Sequence, residues 1–395
     1  MTRSNAFVRT LEHGAMRMAL SLIRAREGNR PKAAEPTGRQ RVLICKWCCL
    51  GDAIVSLYAI REFKRRHPDI VIDMLVSSRI AEVYRRAPEI RGVHVLPVTG
   101  RRLVLELLNP RLWTRLAGML RQLRRNRYVQ FIDLELYRGT GPILKRLIGI
   151  PFSRGFQVEG ALPKHHDFEV PLPRTMPEWQ CFYRVLGMEI PGNLPEPLYD
   201  RKPYPERSGV PGKRIGVVFG SSFNWPQKKW PWERYAELIS LLSREGHDFI
   251  LLGTPDEKEA GGWIAAKAQG KIIDTTGHLD YEGLRKEVAS CDLVVGNDTG
   301  TMHLAAAYGI PTVTIFGPTD PRKWNPITSN PVFLENIPCR PCYYLGSMPS
   351  CDHFSCLRQI EPALVAERVR KGLAAGTGAF GKAEISAKIP PKPAD

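Results

Sequence analysis

The sequence predicts an α/β protein built from two doubly wound domains, each a parallel sheet covered by helices. Its 395 residues are too many for one ordinary hydrophobic core. Short apolar segments alternate with segments whose apolar residues recur at helical spacing, which is typical of βαβ units. A stretch rich in proline and glycine, residues 190–213, interrupts this alternation as a domain linker would.

The first half predicts strands and helices in turn. Residues 41–47 form a candidate buried strand, and Gly51 and Asp52 form a turn after it. The next segment is predicted to be a helix, which ends at Pro68. Further strands are predicted over 70–77, 94–98 and 128–137, and further helices over 80–88 and in the basic stretch before 128.

The alternation resumes after the linker. Strands are predicted over 214–222, 247–254, 271–277, 292–298 and 311–317, and helices over 231–246, 281–291, 301–309 and 361–375, with one more before 271. We therefore expect a first domain over 39–200 and a second over 201–375 that face a central cleft, with ligands beyond the carboxyl ends of the strands. The last helix is expected to pack back on the body of the protein, with the first domain as its candidate partner.

Residues 1–38 and 376–395 are expected to lie outside the two domains. The first segment has the pattern of a basic amphipathic helix, whether solvated, docked on a domain or lying on a membrane surface. The second has little to bury and is predicted to be disordered. No apolar run approaches the ~18–20 residues that span a bilayer, and the N-terminus lacks the pattern of a secretory signal, so we expect a cytoplasmic protein.

Charge narrows the class of partner. The net charge is +17, and residues 39–200 carry 26 basic and 16 acidic side chains. Such an excess suits phosphates, nucleic acid or an anionic membrane face. We do not expect a nucleic-acid partner, because the sequence contains no zinc-finger or RNA-recognition signature.

One strand of the second half ends in small polar residues just before a helix. Asp298, Thr299 and Gly300 follow the strand, and His303 lies about one turn into the helix. Backbone N–H groups and the positive end of the helix dipole predict an anion site there. Gly300 would let the backbone approach a ligand, Thr299 would cap the helix and donate a hydroxyl, and Asp298 would accept sugar hydroxyls. Helix caps and a packed histidine are the alternative interpretation.

Two neighbouring strand ends carry matching chemistry. Ser221, Ser222 and Lys228 or Lys229 follow one strand and are suitable donors to phosphate. Glu257 and Glu259 follow the next and are suited to ribose or sugar hydroxyls. Together these side chains favour a nucleotide-sugar diphosphate as the ligand.

Asp52 lies near the end of the first strand. A single carboxylate facing the cleft is a candidate general base. An acidic residue at the start of a helix, which interacts with the helix dipole and needs no catalytic role, is the alternative.

Four cysteines, Cys339, Cys342, Cys351 and Cys356, are spaced as two close pairs. This spacing fits a tetrahedral structural zinc site. Free thiols, a disulfide and an Fe–S cluster remain alternatives.

Over roughly residues 40–370, the chain resembles glycosyltransferase family 9, the ADP-heptose:lipopolysaccharide heptosyltransferase family. Four ordered segments carry the resemblance: VLICKWCCLGDAIVSLYAIREFKRRHPD, FIDLELYRG, VVFGSSFNWPQKKWPWERYAEL and NDTGTMHLAAAYGIPTVTIFGPTDP. The pattern departs from the family at Trp47-Cys48-Cys49, which replace small or serine residues, and at Glu135, where the family commonly has Gln-Gly.

The resemblance implies a GT-B fold of two Rossmann-like domains and an inverting glycosyltransferase that requires no metal cofactor. Such an enzyme would move a heptose or related sugar from an ADP-sugar to a lipopolysaccharide core or similar anionic glycan at the inner face of the inner membrane, with peripheral contact to that membrane. Another nucleotide sugar, or a catalytically silent nucleotide-sugar-binding or assembly protein, is the alternative.

The resemblance also implies a role for each candidate side chain. Asp52 would deprotonate the acceptor hydroxyl, and Lys228 would hold the donor diphosphate. Asp298 would bind the transferred sugar. The remaining donor-site assignments are Ser221 and Ser222 at the diphosphate, Glu257 or Glu259 at the ribose, and Thr299, Gly300 and His303 along the diphosphate.

Overall fold

The chain forms two compact units in the computed structural model. The structure describes residues 40–47, 49–97, 109–136, 141–157, 166–201, 212–221, 225–327, 329–344, 347–348 and 350–375. The predicted helix within 1–38 and the predicted disordered tail over 376–395 lie outside these residues. The described residues of 40–49, 56–174 and 179–190 belong to the first unit, whereas Leu50–Val55, Thr175–Glu178 and those from Pro191 onward belong to the second.

The first unit is built on a six-stranded parallel sheet. Its strands run in the order β3-β2-β1-β4-β5-β6. Its elements are β1 (Arg41–Lys46), α1 (Leu50–Arg66), β2 (Val71–Val76), α2 (Ala81–Arg85), β3 (Ile90–Val95), α3 (Pro110–Arg125), β4 (Gln130–Asp133), α4 (Gly141–Ile148), β5 (Phe152–Gln157), β6 (Phe168–Pro171) and α5 (Glu178–Val185).

The second unit repeats this topology in the order β9-β8-β7-β10-β11-β12, again with all strands parallel. Its elements are β7 (Arg214–Val218), α6 (Trp232–Ser243), β8 (Asp248–Leu251), α7 (Lys258–Lys267), β9 (Lys271–Asp274), α8 (Tyr281–Ala289), β10 (Leu293–Asn297), α9 (Gly300–Ala307), β11 (Thr312–Ile315), α10 (Pro321–Trp324), β12 (Ser329–Val332), α11 (Ser355–Arg358) and α12 (Pro362–Ala375).

Both sheets have the strand order of a Rossmann fold, which confirms the predicted α/β class. In such a sheet the chain order reverses between two central strands, and ligands bind beyond the carboxyl ends of the strands at that switch point. The reversal falls between β1 and β4 in the first sheet and between β7 and β10 in the second. The polar side chains at these strand ends are therefore the first candidates for a ligand site.

Some elements differ from the sequence prediction. Strands β5, β6 and β12 were not predicted, since β5 contains polar and glycine residues and β12 contains Pro331, which is tolerated in a strand at the sheet edge. Helix α1 begins at Leu50, so Gly51 and Asp52 lie in its first turn and not in a turn before it.

The last helix packs in the apolar core of the second unit, as a helix that packs back on the body of the protein would. Val365, Ala366 and Val369 of α12 are fully buried, in the same apolar cluster as residues of α6, β7 and β10. The apolar face of α12 thus packs against the second sheet and helps to cover it. No helix in the described part of the chain is both long and apolar enough to cross a bilayer.

Asn297, at the end of β10, joins the central strands of the second unit. Its side chain is fully buried, and Oδ1 accepts hydrogen bonds from the backbone N–H of Trp230 (3.0 Å) and the hydroxyl of Tyr235 (2.8 Å). Its Nδ2 donates to the carbonyl oxygens of Phe219 (2.6 Å) and Gly220 (3.1 Å) beyond β7. One amide therefore joins the ends of β7 and β10 to each other and to the residues just before α6.

Replacing this amide should destabilise the second unit. Asn297→Ala leaves several buried donors and acceptors unpaired, so we expect the free energy of unfolding to fall by about 2–4 kcal/mol. Urea unfolding followed by tryptophan fluorescence measures the change. The matched control is Asn325→Ala, which removes a single side-chain hydrogen bond to Ser329 and should cost about 1 kcal/mol. Equal losses in the two variants would contradict the proposed joint.

Candidate functional site

A largely buried ion pair lies at the switch point of the second sheet. Lys228 ends the short 3-10 turn Pro226–Lys228 in the loop after β7, and Asp298 directly follows β10. Lys228 Nζ lies 2.8 Å from Asp298 Oδ2, and the two side chains are 16% and 7% exposed. Because an ion pair with this little solvent is weakly screened, the site has a strong and fixed local field.

The N-terminus of α9 adjoins this pair. Thr299 is the N-cap residue by its extended backbone, but its side chain makes no capping hydrogen bond, contrary to prediction. Its buried hydroxyl has no hydrogen-bond partner among the described residues. The first-turn N–H groups and this hydroxyl are donors of the kind that an anion needs.

Gly300 allows the first turn of α1 to approach the start of α9 closely. A β-carbon on Gly300 would lie 2.6 Å from Leu50 Cβ and 2.8 Å from the backbone nitrogen of Gly51. Any larger residue here would therefore displace the first turn of α1.

The same turn brings Asp52 to the site. Leu50–Val55 belong to the second compact unit, and a β-carbon on Gly51 would lie 2.8 Å from Cδ2 of His303. Asp52 is 9% exposed. Burial lowers the pKa of His303 below its usual value, more strongly than the carboxylates of Asp298 and Asp52 raise it. The structure thus brings the predicted residues Asp52, Lys228, Asp298 and His303 together, with a neutral imidazole among the charges.

Glu257 connects two strand ends of the second sheet. Its Oε1 accepts a hydrogen bond from the backbone N–H of Ser221 (2.9 Å), and its Oε2 accepts one from the N–H of Thr254 (2.9 Å). Lys229 Nζ lies 3.4 Å from Oε1. The absence of a side chain at Gly220 makes room for this carboxylate, since a β-carbon there would clash with Oε1.

The other predicted donor-site residues are placed less centrally. Glu259 is exposed in the first turn of α7. Ser221 donates its hydroxyl hydrogen to the carbonyl oxygen of Trp225 at 2.8 Å. Ser222 lies outside the described residues. Of these two glutamates, Glu257 is therefore the one that lies beside a residue of the predicted phosphate site, Ser221.

The cysteine cluster lies close to the loop after β11. All four thiols are free of disulfide bonds, and the backbone N–H of Cys342 donates to the carbonyl oxygen of Pro318. Burial raises the pKa of Cys356 to about 11; the charge of Arg340 opposes this shift and the other three cysteines add to it. The described residues include no group of three or more His, Cys, Asp or Glu side chains arranged to hold a metal ion. The zinc site remains a prediction.

Polar side chains also lie at the switch point of the first sheet. Lys46 and Glu135 are fully buried and form an ion pair at 3.3 Å, and the backbone N–H of Trp47 donates to the same carboxylate at 2.7 Å. Trp47 and Glu135, which both depart from the family pattern, therefore contact each other. Since the Glu135 side chain has no exposed surface, it acts here as an internal partner.

Asp133 is the second buried carboxylate of this unit. Its Oδ1 accepts hydrogen bonds from the thiol of Cys45 (3.1 Å) and the N–H of Glu135 (3.0 Å), and His166 Nε2 lies 3.6 Å from Oδ2. Burial, with the charge of Glu135, raises the pKa of Asp133 to about 7, although the backbone N–H opposes this shift.

Comparison with known proteins decides the family. A model of glycosyltransferase family 9 (heptosyltransferase) matches residues 117–348, which is more than half of the chain. The chain belongs to glycosyltransferase family 9. It is accordingly a glycosyltransferase, and the resemblance read from its motifs is confirmed.

The relatives of this family 9 transferase include proteins named as heptosyltransferases. Lipopolysaccharide heptosyltransferase 2 of Salmonella typhimurium is 26% identical over 312 residues, covering 73% of this chain and 86% of the relative. Lipopolysaccharide heptosyltransferase 1 of Pseudomonas aeruginosa is 28% identical over 321 residues, covering 76% and 86%.

A solved structure has the same fold. The E. coli ADP-heptose lipopolysaccharide heptosyltransferase II superposes with a TM-score of 0.66 at 22% identity, covering 85% of this transferase and 99% of that chain. The predicted GT-B fold is therefore confirmed.

One residue was missed by the sequence analysis. Tyr343 lies between two of the cysteines, and its ring centroid is 5.1 Å from Lys228 Nζ. More than a hundred residues separate the two along the chain, and no periodic pattern links them. Only the aromatic residues next to the cysteine pair gave any signal.

The raised pKa of Asp133 predicts a pH dependence of stability. Its folded pKa of about 7 lies above the ordinary value near 3.9, so between these values only the folded state keeps the proton. The contribution of this carboxyl to the free energy of unfolding is complete below about pH 4, and it is lost progressively as the pH rises through 7. Asp133→Asn cannot ionise, so urea unfolding should show its stability relative to wild type increasing from about pH 4 to about pH 7 and then levelling off.

Asp167→Asn is the control with the opposite sign. Burial raises the pKa of Asp167, but Lys145 and Ser153 lower it more, so its contribution is lost as the pH falls. If the stability difference between Asp133→Asn and wild type did not change with pH, the conclusion that the buried Asp133 carboxyl is protonated in the folded protein would be contradicted.

Proposed function

We propose that this transferase moves a heptose from ADP-heptose to a lipopolysaccharide acceptor, with inversion at the anomeric carbon and no need for a metal ion. The observation that carries the proposal is the grouping of Asp52, His303, Asp298 and Lys228 at one switch point. A carboxylate, a neutral imidazole and a carboxylate–lysine pair supply a base and a cation within one site.

The donor follows from the site and the relatives. The E. coli structure that shares the fold is named an ADP-heptose lipopolysaccharide heptosyltransferase. In this chain Lys228, the buried hydroxyl of Thr299 and the first N–H groups of α9 offer positive charge and donors suited to a diphosphate. Glu257, which accepts a hydrogen bond from Ser221, would bind the ribose, and Asp298 would bind the transferred sugar.

The leaving group sets the electrostatic demand. When the bond from the anomeric carbon to the phosphate oxygen breaks, its electrons remain on the ADP. Fixed donors aimed at that developing charge can lower the barrier by several kcal/mol. Lys228 and the start of α9 would provide this stabilisation, and a divalent cation provides it in other transferases.

Asp52 would act on the acceptor. Its carboxylate takes the proton of the acceptor hydroxyl while that oxygen bonds to the anomeric carbon. Attack opposite to the departing diphosphate in one displacement inverts the anomeric configuration. The neutral state of His303 suits this step, because a neutral imidazole adds no positive charge that would weaken the carboxylate as a base.

The charge of the first unit suits an anionic acceptor at a membrane. Helix α3 carries five arginines and no acidic residue, and its Trp113 is 52% exposed. Arginines favour the phosphates of a lipopolysaccharide, and an exposed tryptophan beside them favours a lipid surface. We therefore propose peripheral contact with the inner membrane.

Removing the proposed base should abolish transfer without abolishing donor binding. For Asp52→Asn we expect kcat to fall by about 10²–10⁴-fold, with ADP affinity close to wild type. Product formation from ADP-heptose and binding of ADP by calorimetry measure the two effects, and NMR of the product shows its anomeric configuration. Asp69→Asn, an exposed carboxylate after α1, is the charge-matched control.

Two outcomes would contradict this assignment. An Asp52→Asn variant that keeps more than roughly a tenth of the wild-type kcat would exclude Asp52 as the base. A wild-type protein that binds ADP-heptose yet transfers nothing to any lipopolysaccharide acceptor would instead favour a silent binding protein.

Removing the Lys228 ammonium should lower kcat/KM for the sugar donor. For Lys228→Met we expect kcat/KM for ADP-heptose to fall by about 10²–10³-fold, since one charged donor to the leaving group is lost. Lys271→Met, at a 70% exposed lysine, should leave the rate unchanged. Rates that collapse when a chelator is added, while Lys228→Met remains active, would contradict the metal-independent mechanism.

A further inference from the structure

The segment that carries the cysteines also supplies an aromatic face to the site. Tyr343 is the residue directly after Cys342, and its ring lies over the ammonium of Lys228 at 5.1 Å from centroid to Nζ. The ammonium of Lys228 therefore contacts both the Asp298 carboxylate, at 2.8 Å, and a neutral ring.

The backbone at Tyr343 is held firmly. The N–H groups of Cys342 and Tyr343 both donate to the carbonyl oxygen of Pro318, at 3.1 and 3.0 Å. The guanidinium of Arg340 donates to the carbonyl oxygens of Gly317 and Thr319 in the same loop. The cysteine segment is thus attached to the end of β11, at the same edge of the sheet as Asp298.

The orientation of the ring is held by two other aromatic rings. Trp225 meets Tyr343 edge to face, with centroids 5.0 Å apart and an angle of 86°. Trp324 meets it at 6.3 Å and 67°. Such edge-to-face contacts favour one ring orientation, and Trp225 belongs to the same loop as Lys228.

We propose that Tyr343 is a positioning residue for Lys228 in the transfer reaction. The inference rests on the proposed role of Lys228 at the leaving diphosphate. A ring face attracts an ammonium group without neutralising it and without taking one of its N–H groups in a directed hydrogen bond. Lys228 is then held in place while its N–H groups remain for Asp298 and for the phosphate oxygens.

A second carboxylate in place of the ring would have a different effect. Together with Asp298 it would surround the lysine with negative charge, compete with the diphosphate for the ammonium and repel the anionic donor. The neutral ring holds the cation and adds no negative charge to that of Asp298.

A double-mutant cycle tests the proposal. Tyr343→Leu removes the ring face, and we expect kcat/KM for ADP-heptose to fall about 3- to 30-fold. Tyr343→Phe keeps the face and should restore the rate to within about twofold of wild type. In a Lys228→Met background, Tyr343→Leu should change the residual rate by less than about twofold, because the group it positions is absent.

The matched control removes a similar contact elsewhere in the second unit. Tyr199→Leu deletes a ring that lies 4.9 Å from the guanidinium carbon of Arg285, so it should affect stability and not kcat/KM. Thermal melting of every variant separates loss of folded protein from loss of rate.

Each outcome has one interpretation. Equal losses for Tyr343→Leu in the wild-type and Lys228→Met backgrounds, or no rescue by Tyr343→Phe, would overturn the positioning role and indicate packing alone. A Lys228→Met variant with wild-type activity would instead overturn the proposed function of the lysine, whatever Tyr343→Leu does.

Discussion

The ion pair of Lys228 and Asp298 is the interaction on which the site depends. It joins the loop after β7 to the residue after β10, the two strands between which the sheet order reverses. Asn297 holds these strand ends together through four hydrogen bonds, so the pair rests on a rigid support. A cation fixed in this way would need little reorganisation to meet the proposed diphosphate, which is the condition for effective electrostatic catalysis.

The other polar groups of the site are arranged around this ion pair. The buried hydroxyl of Thr299 and the start of α9 add donors beside the lysine, while the neutral His303 lies near the Asp298 and Asp52 carboxylates without adding charge. Asp52 takes its place from the first turn of α1, which Gly51 and Gly300 allow to approach α9 closely. The proposed base and the proposed cation thus lie on different elements, which small residues allow to approach each other.

Much of this arrangement was predictable from the sequence, because parallel strands end at one edge of a sheet. Lys228, Glu257 and Asp298 each follow a strand, so their proximity follows from topology. The engagement of Glu257 by backbone N–H groups and the close packing of Gly300 on Leu50 were not predictable, since both depend on tertiary packing. Tyr343 was missed for the same reason. Strand β12 was missed because it contains a proline, which is unusual in a strand.

The most direct measurement is a crystal structure of this protein with ADP bound. The account predicts that Lys228 Nζ lies within hydrogen-bond distance of a β-phosphate oxygen, with the ring of Tyr343 still over the ammonium and the phosphates at the start of α9. A nucleotide whose diphosphate lies away from α9, with Lys228 contacting only Asp298, would contradict it.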